Sequence, residues 1–318
     1  MNITGSRISN TSQSPLQKFY QYNTLIIFVL MLIVSGLITQ NFFSGNNISN
    51  LIRQSVPIGL VSMGMLLVIL TGGIDLSVGS VVAMIGVTFS LLSYQVYFPV
   101  ALVLSLMIGL AMGAISGYLV AYRKIASFIV TLAMMTMIRG AGYLLSKGAP
   151  ISVGPHSSGI LYLGSGSVLG IPVSAIILIV VFAILYILLR YNVFGRVILA
   201  IGSNEEAVRL SGIAVRRSKF IVYAICTLLT ALGGLLMVGR TGVGTPNIGV
   251  GLELDAIAAV VIGGASLNGG KGSLLNTLLG VFILSMIGNV MNLLDITSYL
   301  QQIIKGIIII AAVLFQRN

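Results

Sequence analysis

The chain has 318 residues, of which 57% are hydrophobic and only 7% charged, and its mean hydropathy is +1.09. Soluble domains carry about 25% charged residues, so this composition excludes a surface that faces water on all sides. Its 17 Lys and Arg against 6 Asp and Glu give +11, which in a soluble protein would raise nucleic acid as a partner. Here the basic residues gather in loops between apolar runs, which is the positive-inside pattern of a membrane protein with lipid as its partner and no nucleic acid.

A bilayer core about 30 Å thick takes about 20 apolar residues per helix. Such runs fall at 24–40, 51–70, 76–94, 97–121, 126–146, 171–190, 220–239, 254–266, 273–293 and 297–315. They predict an all-α, polytopic transmembrane bundle of about ten helices, with eight to eleven compatible with the spacing. Residues 1–23, with Arg7 and Lys18, read as a cytoplasmic tail leading into an uncleaved first helix, and 24–318 as a single transmembrane domain. The main loop 190–219 holds Arg190, Arg196, Arg209, Arg216, Arg217 and Lys219 and is expected inside with Arg123, Lys124 and Arg317, so both termini are cytoplasmic. That path leaves Arg53, Lys147 and Arg240 near the outer side. In the fourth run Gly109, Gly113 and Gly117 form a stripe of small residues suited to close helix packing.

Between the second and third runs stands TGGIDLSVGS, residues 71–80. A carboxylate at a helix centre costs about 2.5 to 3.5 kcal/mol, so Asp75 is expected at a break, a cavity or an interface. Gly72 and Gly73 make a break there, with Ser77 beside it. Two readings stay open: Asp75 caps the following helix, or it touches the translocation pathway. Glu253 and Asp255 open the run near 254, where they either complement the positive helix end or contact substrate. The turn 269–273 lacks the glycine and hydroxyl of a phosphate loop, since Ala265 and Gly272 occupy those positions, and no nucleotide site is supported. One histidine, His156, and one cysteine, Cys226, leave no Cys/His metal cluster within the chain, and enzyme chemistry is a weak reading.

The most informative stretch is IGSNEEAVRLSGI, residues 201–213. Ser203 with Glu206 three positions on reads as a capping box, Glu205 and Glu206 suit the first turn, and Gly212 suits the C-terminal end. These predict a short helix of about two turns, built on Ser203, Asn204, Glu205, Glu206, Ala207, Arg209 and Gly212. So short a helix is marginal alone and must dock, either on its own bundle or on a partner.

GGIDLSVGS at 72–80, GSNEEAVRLSGI at 202–213 and ELDAIAAVVIGGASLNGGKG at 253–272 make the chain, from about Leu25 onward, resemble the permeases of bacterial ATP-binding-cassette sugar importers, in the branch that handles ribose and related sugars. The resemblance implies a pair of permease subunits in the inner membrane, cytoplasmic ATPases that use ATP and Mg²⁺ beneath them, and a periplasmic sugar-binding protein above. It implies no cofactor on this chain. Glu206-Ala207-Val208 with Gly212 matches the spacing of the coupling motif E-A-A, three residues, Gly. It departs at Val208, and no Leu-Pro pair occurs near residue 224. Competing readings are a branched-chain amino-acid permease of a related importer, an ion-driven secondary transporter and a membrane enzyme. The ion-driven one is poorly served, because few ionisable residues, Asp75 and Arg139 among them, fall within the spans.

Overall fold

The computed structural model describes residues 23–316. The proposed tail, including Arg7 and Lys18, and the terminal Arg317 lie outside them. Among the described residues the regular structure is helical apart from two small antiparallel pairings, β1 (Ile151–Ser152) with β4 (Val243–Gly244) and β2 (Ser167–Val168) with β3 (Ile171–Pro172). Each of the ten apolar runs coincides with a helix. Among the described residues six helices are long and apolar enough to cross a membrane: α2 (Gly45–Leu70), α4 (Phe98–Ala121), α5 (Ser127–Ser146), α7 (Val173–Arg190), α10 (Val215–Thr241) and α12 (Leu274–Leu293).

The helices at the other four apolar runs are α1 (Asn23–Ile38), α3 (Val78–Leu92), α11 (Leu252–Ile262) and α13 (Ser298–Gln316), of which α3 and α11 have the fewest described residues. At 1.5 Å per residue α3 reaches about 22 Å and α11 about 16 Å, against a core of about 30 Å. The irregular backbone before α3, at 71–77, is largely buried within the protein, the setting in which such backbone is tolerated at membrane depth.

The centre of the bundle is α10 packed on α2, α3 and α4. The glycine stripe lies on that contact: a side chain at Gly109 would strike Ala231, at Gly113 Thr227, and at Gly117 the backbone of Phe220. Small residues here let two backbones meet where lipid offers no hydrophobic drive. α2 is buried along most of its length, and its Val56, Leu60, Met63 and Leu67 sit in the main apolar cluster with Val222, Tyr223 and Cys226 of α10. Thirteen α-helices occur among the described residues, because the main basic loop carries two of its own. These are α8 (Val193–Ser203) and α9 (Glu205–Leu210); the remaining short helix, α6 (Ser158–Ser165), packs on α10.

Candidate functional site

The break after α2 is built residue by residue. Gly72 takes φ +76, a left-handed conformation open to glycine, and turns the chain out of the helix. Gly73 lies under the Tyr223 hydroxyl, where a Cβ would come within 2.5 Å of Oη. Ile74 is held at both backbone groups: its N–H donates to Ser127 Oγ at 3.4 Å, and its carbonyl accepts from Thr131 Oγ1 at 3.2 Å. Asp75 is fully buried, and one carboxylate oxygen accepts from the Ser77 N–H at 2.9 Å and the Ser77 hydroxyl at 2.6 Å. It does not cap α3, because the N-cap position belongs to Ser77 and the Asp75 bonds close a turn one residue ahead of the helix. Its second oxygen, Oδ2, is buried with no hydrogen-bond partner among the described residues.

This geometry separates the role of shape from that of charge. Asp75→Asn keeps the accepting oxygen and should leave the fold intact, whereas Asp75→Leu strands two donors at about 1 to 3 kcal/mol each. We expect Asp75→Leu to lower the thermal unfolding midpoint and uptake together, and Asp75→Asn to preserve the midpoint. Loss of uptake in the asparagine variant at unchanged midpoint would make the charge itself functional.

The segment after α8 corrects the capping box. Helix α8 runs through Ser203, whose hydroxyl donates back to the Leu199 carbonyl at 3.0 Å, so its backbone is already helical and cannot cap α9. Asn204 takes the extended conformation instead, and its side-chain oxygen accepts from the Ala207 N–H at 3.0 Å. Glu206 does not reach back to the cap; it pairs with Arg209, whose Nε donates at 3.0 Å. That bond holds the Glu206 carboxyl below its ordinary range, so the pair persists at neutral pH and is lost only as pH falls through the lowered value. Gly212 succeeds the C-cap Ser211 with φ +79, where a side chain would be strained.

Helix α9 is six residues long and buries one side chain against its own chain. Val208 is buried in a small cluster with Ile201 of α8 and Val215 of α10, which accounts physically for a valine where the general motif has alanine. Lys219 donates to Glu205 and ties the helix to α10. The remaining face is exposed, including Leu210 at 76%.

The two motifs meet. Gly72 and Gly73 from the break, Glu205, Glu206 and Arg209 from α9, and Lys219 with Tyr223 from α10 line one cavity of about 1130 Å³. Asp75 and Ser77 do not line it. Asp255 is elsewhere: in the first turn of α11, accepting from Lys305 of α13 at 2.8 Å and lining a second pocket.

Residues 242–251 form a structure that periodicity did not reveal. Gly244 packs against Gly86 of α3 and Gly249 against Gly79, so this stretch, β4 followed by turns, descends along α3 for about two helical turns before α11 begins. Arg139 of α5 holds it, with Nη1 donating to the Pro246 carbonyl at 2.6 Å and the Ile248 carbonyl at 2.8 Å. One turn further on, the Tyr143 hydroxyl donates to Asn247 Oδ1 at 2.5 Å. Glu253, at the start of α11, supplies the opposite charge acting on Arg139. The signal available in the sequence was Arg139 itself, the one charged residue of α5 and an intramembrane cation.

The family described as branched-chain amino acid transport system / permease component matches residues 47–313. The chain belongs to that family. Similar proteins extend the match over nearly the whole permease. The ribose import permease protein of Haemophilus influenzae is 41% identical over 310 residues, covering 96% of each chain. That of Bacillus subtilis is 44% identical over 296 residues, covering 92% of this chain and 91% of its own. The L-arabinose transport system permease protein of Escherichia coli is 35% identical over 325 residues, covering 100% and 96%. No solved structure matches the chain. The permease is thus a multi-pass membrane component of a transport system.

Proposed function

We propose that the permease admits a monosaccharide, ribose or a related sugar, to the cytoplasm by alternating access, driven by a separate ATP-binding-cassette ATPase that uses ATP and Mg²⁺. The observation that carries this reading is the shared cavity. The exposed helix α9 and the glycine break at 72–73 wall the same chamber, so a partner moving α9 acts on the break directly. The names of the most similar proteins support a sugar over the branched-chain amino acids of the family description.

In this reading the segment 190–219 and both termini face the cytoplasm of a bacterial inner membrane, since basic loops resist translocation. Ser203 and Asn204 set the start of the coupling helix; Glu205, Glu206, Ala207, Arg209 and Leu210 meet the ATPase; Gly212 ends it. A second copy of the permease completes the pathway, a periplasmic sugar-binding protein delivers to it, and no cofactor binds this chain.

The test is Glu206→Lys in an importer reconstituted with its ATPase and binding protein. Glu206 is exposed and, among the described residues, pairs with Arg209 alone, so the variant should insert and dimerise as the wild type does. Uptake should fall by roughly tenfold or more, as for a residue central to an interface, with the ATPase either dissociated or hydrolysing without transport. Normal uptake with the ATPase bound would make α9 a solvated connector and overturn the coupling assignment.

A further inference from the structure

The second pocket has a volume of about 400 Å³ and is walled by α2, the end of α10, the descending strand and the start of α11. That volume lies in the range of small-molecule sites. Its floor is apolar, from Pro57, Ile58, Met237, Ile248 and Leu252. Its polar side chains are few and come from three elements: Gln54, Arg240 with Thr241, and Asp255, the Thr241 hydroxyl already donating to the Met237 carbonyl. Asp255 is already neutralised by Lys305, yet one of its oxygens stays outside that bond. Neither Gln54 nor Arg240 has a hydrogen-bond or ion partner among the described residues.

We propose that this pocket is a transient subsite for the sugar in the pathway, a proposal that rests on the monosaccharide reading above. A pyranose or furanose ring has an apolar face and a rim of hydroxyls that both donate and accept. The apolar floor takes the face; the Arg240 guanidinium donates, the free Asp255 oxygen accepts, and the Gln54 amide does either. With Asp255 paired, the site does not demand a cationic solute. One wall, Ile248 to Val250, belongs to the strand hung from Arg139, so Arg139 is a positioning residue for the subsite.

The pocket can be read with a thiol. The chain's one cysteine, Cys226, is fully buried, so a cysteine at Val250, which is 74% exposed on the pocket wall, is the reactive one. In solubilised Val250→Cys permease, ribose at about ten times its half-protecting concentration should slow maleimide labelling roughly tenfold. Sucrose and leucine at equal concentration should not. In the Gln54→Leu, Arg240→Gln background the labelling rate without sugar should hold while protection drops below about twofold. Absence of ribose protection, equal protection by leucine, or a thiol shielded without any sugar because a second copy covers it would each overturn the subsite. The wild-type importer is assayed alongside: ribose uptake without protection sinks the subsite alone, and failure to import ribose sinks the monosaccharide reading.

Discussion

Replacing Arg139 by leucine is expected to abolish transport while the protein still reaches the membrane. On insertion scales leucine is favoured over arginine at a helix centre by about 3 kcal/mol, so the substitution by itself should insert at least as well as the wild type. What it removes is the donor to two backbone carbonyls, Pro246 and Ile248, in a strand that has no helix of its own to satisfy them. Two stranded, part-buried carbonyls cost up to about 2 to 6 kcal/mol together. The strand can then leave its seat against Gly79 and Gly86, and the start of α11 with Glu253 and Asp255 moves with it. Uptake and the thermal unfolding midpoint measure the two consequences, and Arg139→Lys, which keeps the charge but not the planar fork, should fall between. Wild-type uptake in the leucine variant would mean that Tyr143 and the Gly79 contact suffice to hold the strand.

Gly202→Ala is the second large effect. Gly202 lies in the last turn of α8, and a Cβ there would stand 1.9 Å from the Leu70 carbonyl oxygen and 2.3 Å from the Gly270 nitrogen. Both are backbone atoms, and they are bonded to each other at 3.0 Å, so no side-chain rotation makes room. α8 must lift off the end of α2, breaking the register between the α8–α9 unit and the break at 72–73. Overpacking of this kind costs about 1 to 3 kcal/mol, and uptake should fall by more than roughly tenfold with the bundle otherwise folded. Recovery of the ATPase with the solubilised permease, alongside uptake, separates a displaced coupling unit from a global defect. Unchanged uptake would show that α8 is free to shift without consequence, and that force reaches the bundle by another route.

Sequence alone decided the class of this protein. Apolar runs of bilayer length and basic loops arise from the cost of placing polar groups in lipid, a local property that each segment carries by itself. The break at Gly72-Gly73 was legible for the same reason, since paired glycines weaken a helix and a carboxylate beside them in an apolar run must leave the lipid. The short helix at 205–210 was legible too, but its cap was assigned to the wrong residue. Ser203 and Asn204 are both good N-cap residues, and only the extension of α8 through Ser203 shows which backbone is free to cap. Span number was also beyond the sequence, because a run's hydropathy is the same whether it crosses the bilayer or halts halfway against another helix. The tertiary structure alone brought α9 and the glycine break into one cavity, buried Val208, separated Asp255 from Asp75, and set Arg139 on carbonyls 107 and 109 residues away. These are pairings between distant parts of the chain, decided by which backbones can approach closely enough to bond, and local pattern holds no record of them.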